Sequence, residues 1–145
     1  MSIFGTLLAR ITTSDLQELV QEVAVENARL EFKLLIPTKD ETLKKLSSFA
    51  NTFGGFMVIG AKANSATGRI EYLPSVNIEA GYKQKVVRWC FDGASPPIIV
   101  QVSDPTPAPA GNAKVRYVVH VAESDTAPHV LNSGKGIWVR TDEFG

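Results

Sequence analysis

Hydrophobic positions along this chain change period several times, and each change marks an element. Leu16, Leu19, Val20 and Val23 recur at i, i+3, i+4 and i+7 behind Ser14 and Gln17 at capping-box spacing, which predicts a helix from about Asp15 to Val23. The period then drops to two. Ala28, Leu30, Phe32, Leu34 and Ile36 alternate with Arg29, Glu31 and Lys33, the pattern of a strand with one buried face and with Glu31 and Lys33 on the other. Pro37 ends it. Thr38 and Glu41 form a second capping-box spacing before the helical stripe Leu43, Leu46, Phe49, Ala50 and Phe53, which Gly54 and Gly55 close. The unbroken apolar run from Phe56 to Ala61 suits a strand covered on both faces and central in a sheet.

Further along, Asn64 to Gly68 reads as a polar turn and Arg69 to Leu73 as a short strand. Asn77 reads as the cap of a third helix reaching about Phe91. Ile98 to Val102, Val115 to Ala122 and Ile137 to Arg140 read as strands. The proline-rich SDPTPAPAGNA between the first two is expected to be an exposed loop, because proline cannot donate to a ladder. Helices and strands in this order predict an α+β (mixed α/β) fold: one domain over residues 1–145, with a central mixed sheet packed by about three helices.

Composition narrows the function classes. The chain has 145 residues, 15 basic and 15 acidic, and its net charge is zero, so a generic polyanion-binding excess is missing and any nucleic-acid face must be local. No apolar run approaches the roughly 20 residues of a membrane span, and the first residues lack the basic flank and cleavage site of a secretory signal. A cytoplasmic location without a membrane partner is expected. The lone Cys90 falls at helical spacing with Tyr82, Val86 and Trp89 and reads as a buried structural thiol. His120 and His129 have no partner at metal-ligand spacing.

Three segments carry a resemblance: ENARLEFK (Glu26 to Lys33), LSSFANTFGGFMVIGA (Leu46 to Ala61) and GIWVRTDEFG (Gly136 to Gly145). Together they resemble the DNA-binding domain of the Schlafen and Alba-like group, over about residues 22–145. The resemblance implies that the chain is the N-terminal part of a longer protein and a nucleic-acid-binding domain, for example of a transcriptional regulator or a related DNA- or RNA-associated protein. It also implies, from relatives that are endoribonucleases, a site of two glutamates from the ExxxxEFK motif and an aspartate after the GGxxxIG strand, holding magnesium or manganese. Glu26 and Glu31 match the glutamates. The third position does not match, since Gly60 is followed by Ala61, Lys62, Ala63 and Asn64. A lysine there repels a metal and attracts a phosphate.

The expected function is therefore nucleic-acid binding without cleavage and without a cofactor. Its alternatives are a metal-dependent endoribonuclease using Glu26 and Glu31, or a protein-interaction or homodimerisation module favoured by the neutral charge and the proline-rich loop. Lys33, Lys62, Arg69, Lys135 and Arg140 are the expected nucleic-acid contacts within a wider set that includes Lys39, Lys44 and Lys45; the last two also read as a solvated helix face. Arg140 matches the arginine of the group's closing motif, and its alternative role is an ion pair with Glu31 or Asp142. Trp138 and Tyr72 are candidate stacking platforms. For Glu26 and Glu31 the plain alternatives are a solvated cap and a partner for a neighbouring lysine. Asn51, Gly54, Gly55 and Gly60 are structural. The glycine pair follows a helix rather than preceding one, so no phosphate-cradling loop is present, and Asn51 suits exposed helix-end carbonyls or a loop backbone better than a ligand.

Overall fold

The computed structural model describes residues 11–22, 24–107 and 114–140. Among them are helices α1 (Thr13–Gln21), α2 (Lys39–Ala50) and α3 (Tyr82–Asp92). The longer strands are β1 (Leu30–Lys33), β2 (Gly54–Ile59) and β9 (Lys114–Ala122). Short ones are β3 (Lys62–Ala63), β4 (Ile70–Tyr72), β5 (Val76–Asn77), β6 (Ala94–Ser95), β7 (Gln101–Val102), β8 (Thr106–Pro107) and β10 (Val130–Leu131). The architecture is the expected α+β one. Its main sheet runs β1-β2-β9-β5, with β7 and β8 also paired to β9. β1 is parallel to β2, and β9 is antiparallel to it, so the apolar Phe56 to Ile59 run is central as its composition required.

Register divides the side chains between two layers. Met57, Ile59, Val119 and Val121 face Leu46, Phe49, Val86 and Cys90 of α2 and α3; Leu30, Phe32, Val58 and Val118 face Leu16 and Leu19 of α1. Cys90 is buried, and the apolar surroundings push its thiol up to about 12. Among the described residues no helix is long and apolar enough to cross a membrane.

Several boundaries differ from expectation, each for a local reason. Helix α1 is capped by Thr12, not Ser14: the Asp15 carboxylate accepts from Thr12 N at 2.9 Å while Asp15 N donates back to Thr12 Oγ1, so an aspartate fills the reciprocal place. The expected end at Val23 lies outside the described residues. β1 stops at Lys33 because Gly60, with φ +92°, turns its partner strand away, and Leu35 is left 71% exposed. Asn77 caps no helix. It lies in β5 and pairs with Lys114 of β9, whose Nζ donates to Asn77 Oδ1 at 2.6 Å, and α3 starts at Tyr82 behind Gly81 in the left-handed region.

Ile98 sits in the core with its N–H on the Cys90 carbonyl, which shortens the expected 98–102 strand to β7. Thr106 and Pro107 pair with Arg116 and Val115, so the start of the proline-rich segment is a sheet edge rather than a loop. Residues 108–113 lie outside the described residues. The expected strand from Ile137 to Arg140 is not one: this segment has no ladder and is fastened by side chains. β6 and β10, which pair with each other, carry no sequence signal of their own.

The turn from α2 into β2 depends on both glycines, in different ways. Gly54 has φ +74°, where a side chain is strained. Both are also tight for space: a Cβ at Gly54 would stand 2.6 Å from Glu123 N, and one at Gly55 would stand 2.5 Å from the Phe49 ring and 2.8 Å from the Arg29 carbonyl. The FANTFGG segment thus lets the chain reverse with the helix end pressed on the sheet.

Candidate nucleic-acid interface

β1 is the outer strand of the sheet, so one side of its backbone lacks a strand partner. Asn27 and Leu30 exchange backbone hydrogen bonds there, and the Glu26 carboxylate accepts from Phe32 N–H at 3.3 Å. Glu31, in register with Met57, points to the layer of α2 and is 5% exposed rather than on a solvated face. Both faces of β1 are covered. What covers Glu31 is the segment ending in Arg140.

Arg140 Nη1 donates to Glu31 Oε1 at 2.9 Å and Nη2 to the Asn27 carbonyl at 2.7 Å, while Lys45 Nζ reaches the same Glu31 oxygen at 3.2 Å. The guanidinium stands 4.8 Å from the Phe49 ring centroid, and the Arg140 N–H donates to Thr52 Oγ1 at 2.8 Å. Its side chain is 7% exposed. Asn51 clamps the same segment: its amide donates to the Trp138 and His129 carbonyls at 3.0 and 3.2 Å, and its oxygen accepts from His129 N–H at 2.7 Å. Asn51 thus bonds the backbone of a segment distant in sequence.

The two carboxyls titrate in opposite directions. Burial, then the hydrogen bond and charge of Glu31, push Glu26 up from 4.5 to about 7. Burial opposes ionisation of Glu31 as well, but the hydrogen bonds from Glu26 and Arg140 with the charge of Lys45 outweigh it and hold Glu31 down at about 2. Near neutral pH Glu26 therefore exchanges its proton with solution while Glu31 stays ionised.

Three expected contacts gather beside this pair. Gly60 and Ala61 N–H both donate to the Lys33 carbonyl, at 2.7 and 3.0 Å, placing Lys62 next to the end of β1. Val25 bridges Arg69, and Glu26 N–H donates to the Gly68 carbonyl at 2.8 Å, which brings the residues just before β4 to the same edge. Lys33, Lys62 and Arg69 make no ion pair with any described residue, although Lys62 Nζ turns onto the Ala63 carbonyl at 3.1 Å. Tyr72 pairs with Lys62 across β3 and β4 and is 54% exposed.

Lys135 stands apart, in the turn after β10. Its carbonyl accepts from Trp138 Nε1 at 2.8 Å, and Lys44 Nζ lies 5.0 Å from the Trp138 ring centroid. Arg140 is in the ion pair rather than free at the surface, and Asp142, its other expected partner, lies outside the described residues.

The residues present do not fit a divalent cation. Glu31 already pairs with two cations, the Glu26 carboxylate accepts from Phe32 N–H, and Asn64 Oδ1 is taken by the N–H groups of Ala66 and Thr67 at 2.8 and 3.0 Å. Among the described residues no three His, Cys, Asp or Glu side chains cluster as a metal site. His129 is buried with Nδ1 2.6 Å from the Pro96 carbonyl, which can only accept, so Nδ1 carries the proton and Nε2 accepts from Ser124 Oγ at 2.6 Å. His120 packs on Phe56, and burial lowers its pKa. Asn27 and Thr52 escaped the sequence reading; both are 88 or more positions from Arg140, and no spacing signals such a meeting.

The family model described as Schlafen, AlbA_2 matches residues 26–143, a span that opens on Glu26 and includes Arg140. No curated protein matches the chain.

Proposed function

The chain belongs to the Schlafen AlbA_2 family, and from that premise we propose that it is a nucleic-acid-binding module, part of a transcriptional regulator or a related DNA- or RNA-associated protein, that holds its ligand without cutting it. The observation that carries the second half is the state of Glu31. Arg140 and Lys45 both sit on Oε1 of Glu31, so its single negative charge is already answered by two cations, which disfavours a divalent metal beside it. In this reading the family's acidic pair is a structural lock that fastens the 136–140 segment to β1.

Binding is assigned to the edge formed by the end of β1, β3 and the residues just before β4, which carries Lys33, Lys62 and Arg69, none in an ion pair with a described residue. On a protein with zero net charge such a face makes few phosphate contacts, so affinity is weak and strongly salt-dependent. The test is fluorescence anisotropy with labelled single- and double-stranded DNA and RNA at about 50 mM salt. Binding that weakens in the Lys62→Ala, Arg69→Ala double variant is expected; no binding to any of the four probes rejects the module. Magnesium- or manganese-dependent cleavage of structured RNA, lost in Glu31→Gln, would instead establish the nuclease reading.

A further inference from the structure

On the opposite face of the sheet from Glu31 stands a second arginine whose charge no described carboxylate answers. Arg116, on β9, is 4% exposed. Nη2 donates to the Leu73 carbonyl, while Nε and Nη1 are buried with no hydrogen-bond partner. No carboxylate among the described residues pairs with it. A guanidinium cannot escape the cost of burial by losing its proton near neutral pH, and a buried cation without a counter-charge is costly. Arg140 in the same protein shows the usual solution, a carboxylate at 2.9 Å.

Beside Arg116 is a cavity of about 340 Å³. Gln17, Val20 and Gln21 line it from one face of α1, and Tyr72 and Leu73 from the end of β4. The exposed Gln17, Gln21 and Tyr72 form its rim, and the buried Arg116 and Leu73 its floor. Two amides and a phenol are all able to donate hydrogen bonds, and none of the lining side chains is acidic. The volume lies at the small end of ligand sites.

We propose that this cavity binds a phosphate monoester, with Arg116 as the counter-ion of the phosphate and Gln17, Gln21 and Tyr72 as donors to its oxygens. A tetrahedral dianion offers enough acceptors for a guanidinium and three neutral donors, which a small univalent anion does not. The phosphate comes either from a free nucleotide or from the 5′ end of a nucleic-acid strand. The site does not depend on the cationic edge around Lys62, because free phosphate needs only the cavity.

Calorimetry on the wild-type chain with inorganic phosphate, a nucleoside 5′-monophosphate, and one oligonucleotide carrying either a 5′-phosphate or a 5′-hydroxyl tests the site and separates the two sources. Saturable binding of the small phosphates marks the free nucleotide, and preference for the 5′-phosphorylated strand alone marks the strand end. In either case Arg116→Met is expected to lose affinity about tenfold or more, as removal of a charge-assisted bond requires. A second readout needs no variant: the Arg116 Nε–H resonance should shift on titration of the wild type with phosphate. Tyr72→Phe, at an exposed position, should weaken binding to a smaller extent without touching the core. The proposal is overturned if no small phosphate binds at about 10 mM and the two oligonucleotides bind alike. It is equally overturned if the Nε–H resonance does not move, or if Arg116→Met binds as the wild type does.

Discussion

At Glu26 a single proton couples the edge of the sheet to solution pH. Its folded pKa of about 7 lies above the ordinary 4.5, so folding favours the protonated form. The stabilisation is complete below about pH 4.5 and is lost as pH rises through about 7. Because Glu26 is only partly buried, the loss between pH 5 and 8 is expected to be about 1–2 kcal/mol after discounting for solvent screening. Urea denaturation across that range measures it. In Glu26→Gln, which keeps an oxygen for Phe32 N–H and has no proton to lose, this slope should disappear; an unchanged slope means that another group titrates. Glu31 runs in the other direction: its depressed pKa contributes stability above about pH 4.5 that is lost as pH falls towards 2. Glu31→Gln at pH 7 leaves Arg140 buried and unpaired and should cost about 3 kcal/mol, read by the same denaturation curves.

Among the elements, α2 organises the candidate site. Its start was legible in Thr38 and Glu41, whose capping box is present as expected, but it ends at Ala50, short of the glycine pair, and Phe53, expected on its apolar stripe, lies beyond it and is exposed. What the end of the helix holds was not legible. Asn51 and Thr52 replace a missing strand ladder by fastening the 129–140 segment through four side-chain bonds, and residue periodicity carries no record of bonds between side chain and distant backbone. Asn51→Ala removes three of these and leaves the His129 N–H and carbonyl unanswered. A loss of about 2–3 kcal/mol is expected, with faster hydrogen exchange confined to residues 129–140 if the segment opens locally. An exchange pattern unchanged in that segment would show that the ion pair of Arg140 holds it alone.

For the whole molecule, the zero net charge hides an uneven distribution: Arg140 and Lys45 are spent on Glu31, while Lys33, Lys62 and Arg69 make no ion pair with a described residue. If these three carry the phosphate contacts, the slope of log affinity against log salt should be shallow, about −2 to −3. The Lys62→Ala, Arg69→Ala variant should flatten it by nearly 2 without changing preference among sequences, since backbone contacts carry no sequence information. A slope as steep as about −6 would require contacts well beyond this edge, Lys135 and Lys44 included.

The sequence alone determined the three helices and the longer strands, the central place of Phe56 to Ile59, the α+β class and the family, because hydrophobic period, helix caps and the FANTFGG reversal are local properties of the chain. Tertiary structure alone decided where strands end, since a strand lasts only as long as its neighbour runs beside it. It also decided the fate of the charges. The closing-motif arginine met a buried glutamate 109 positions away while Arg116 met none, and burial and pairing between distant residues are set only when the layers close on one another.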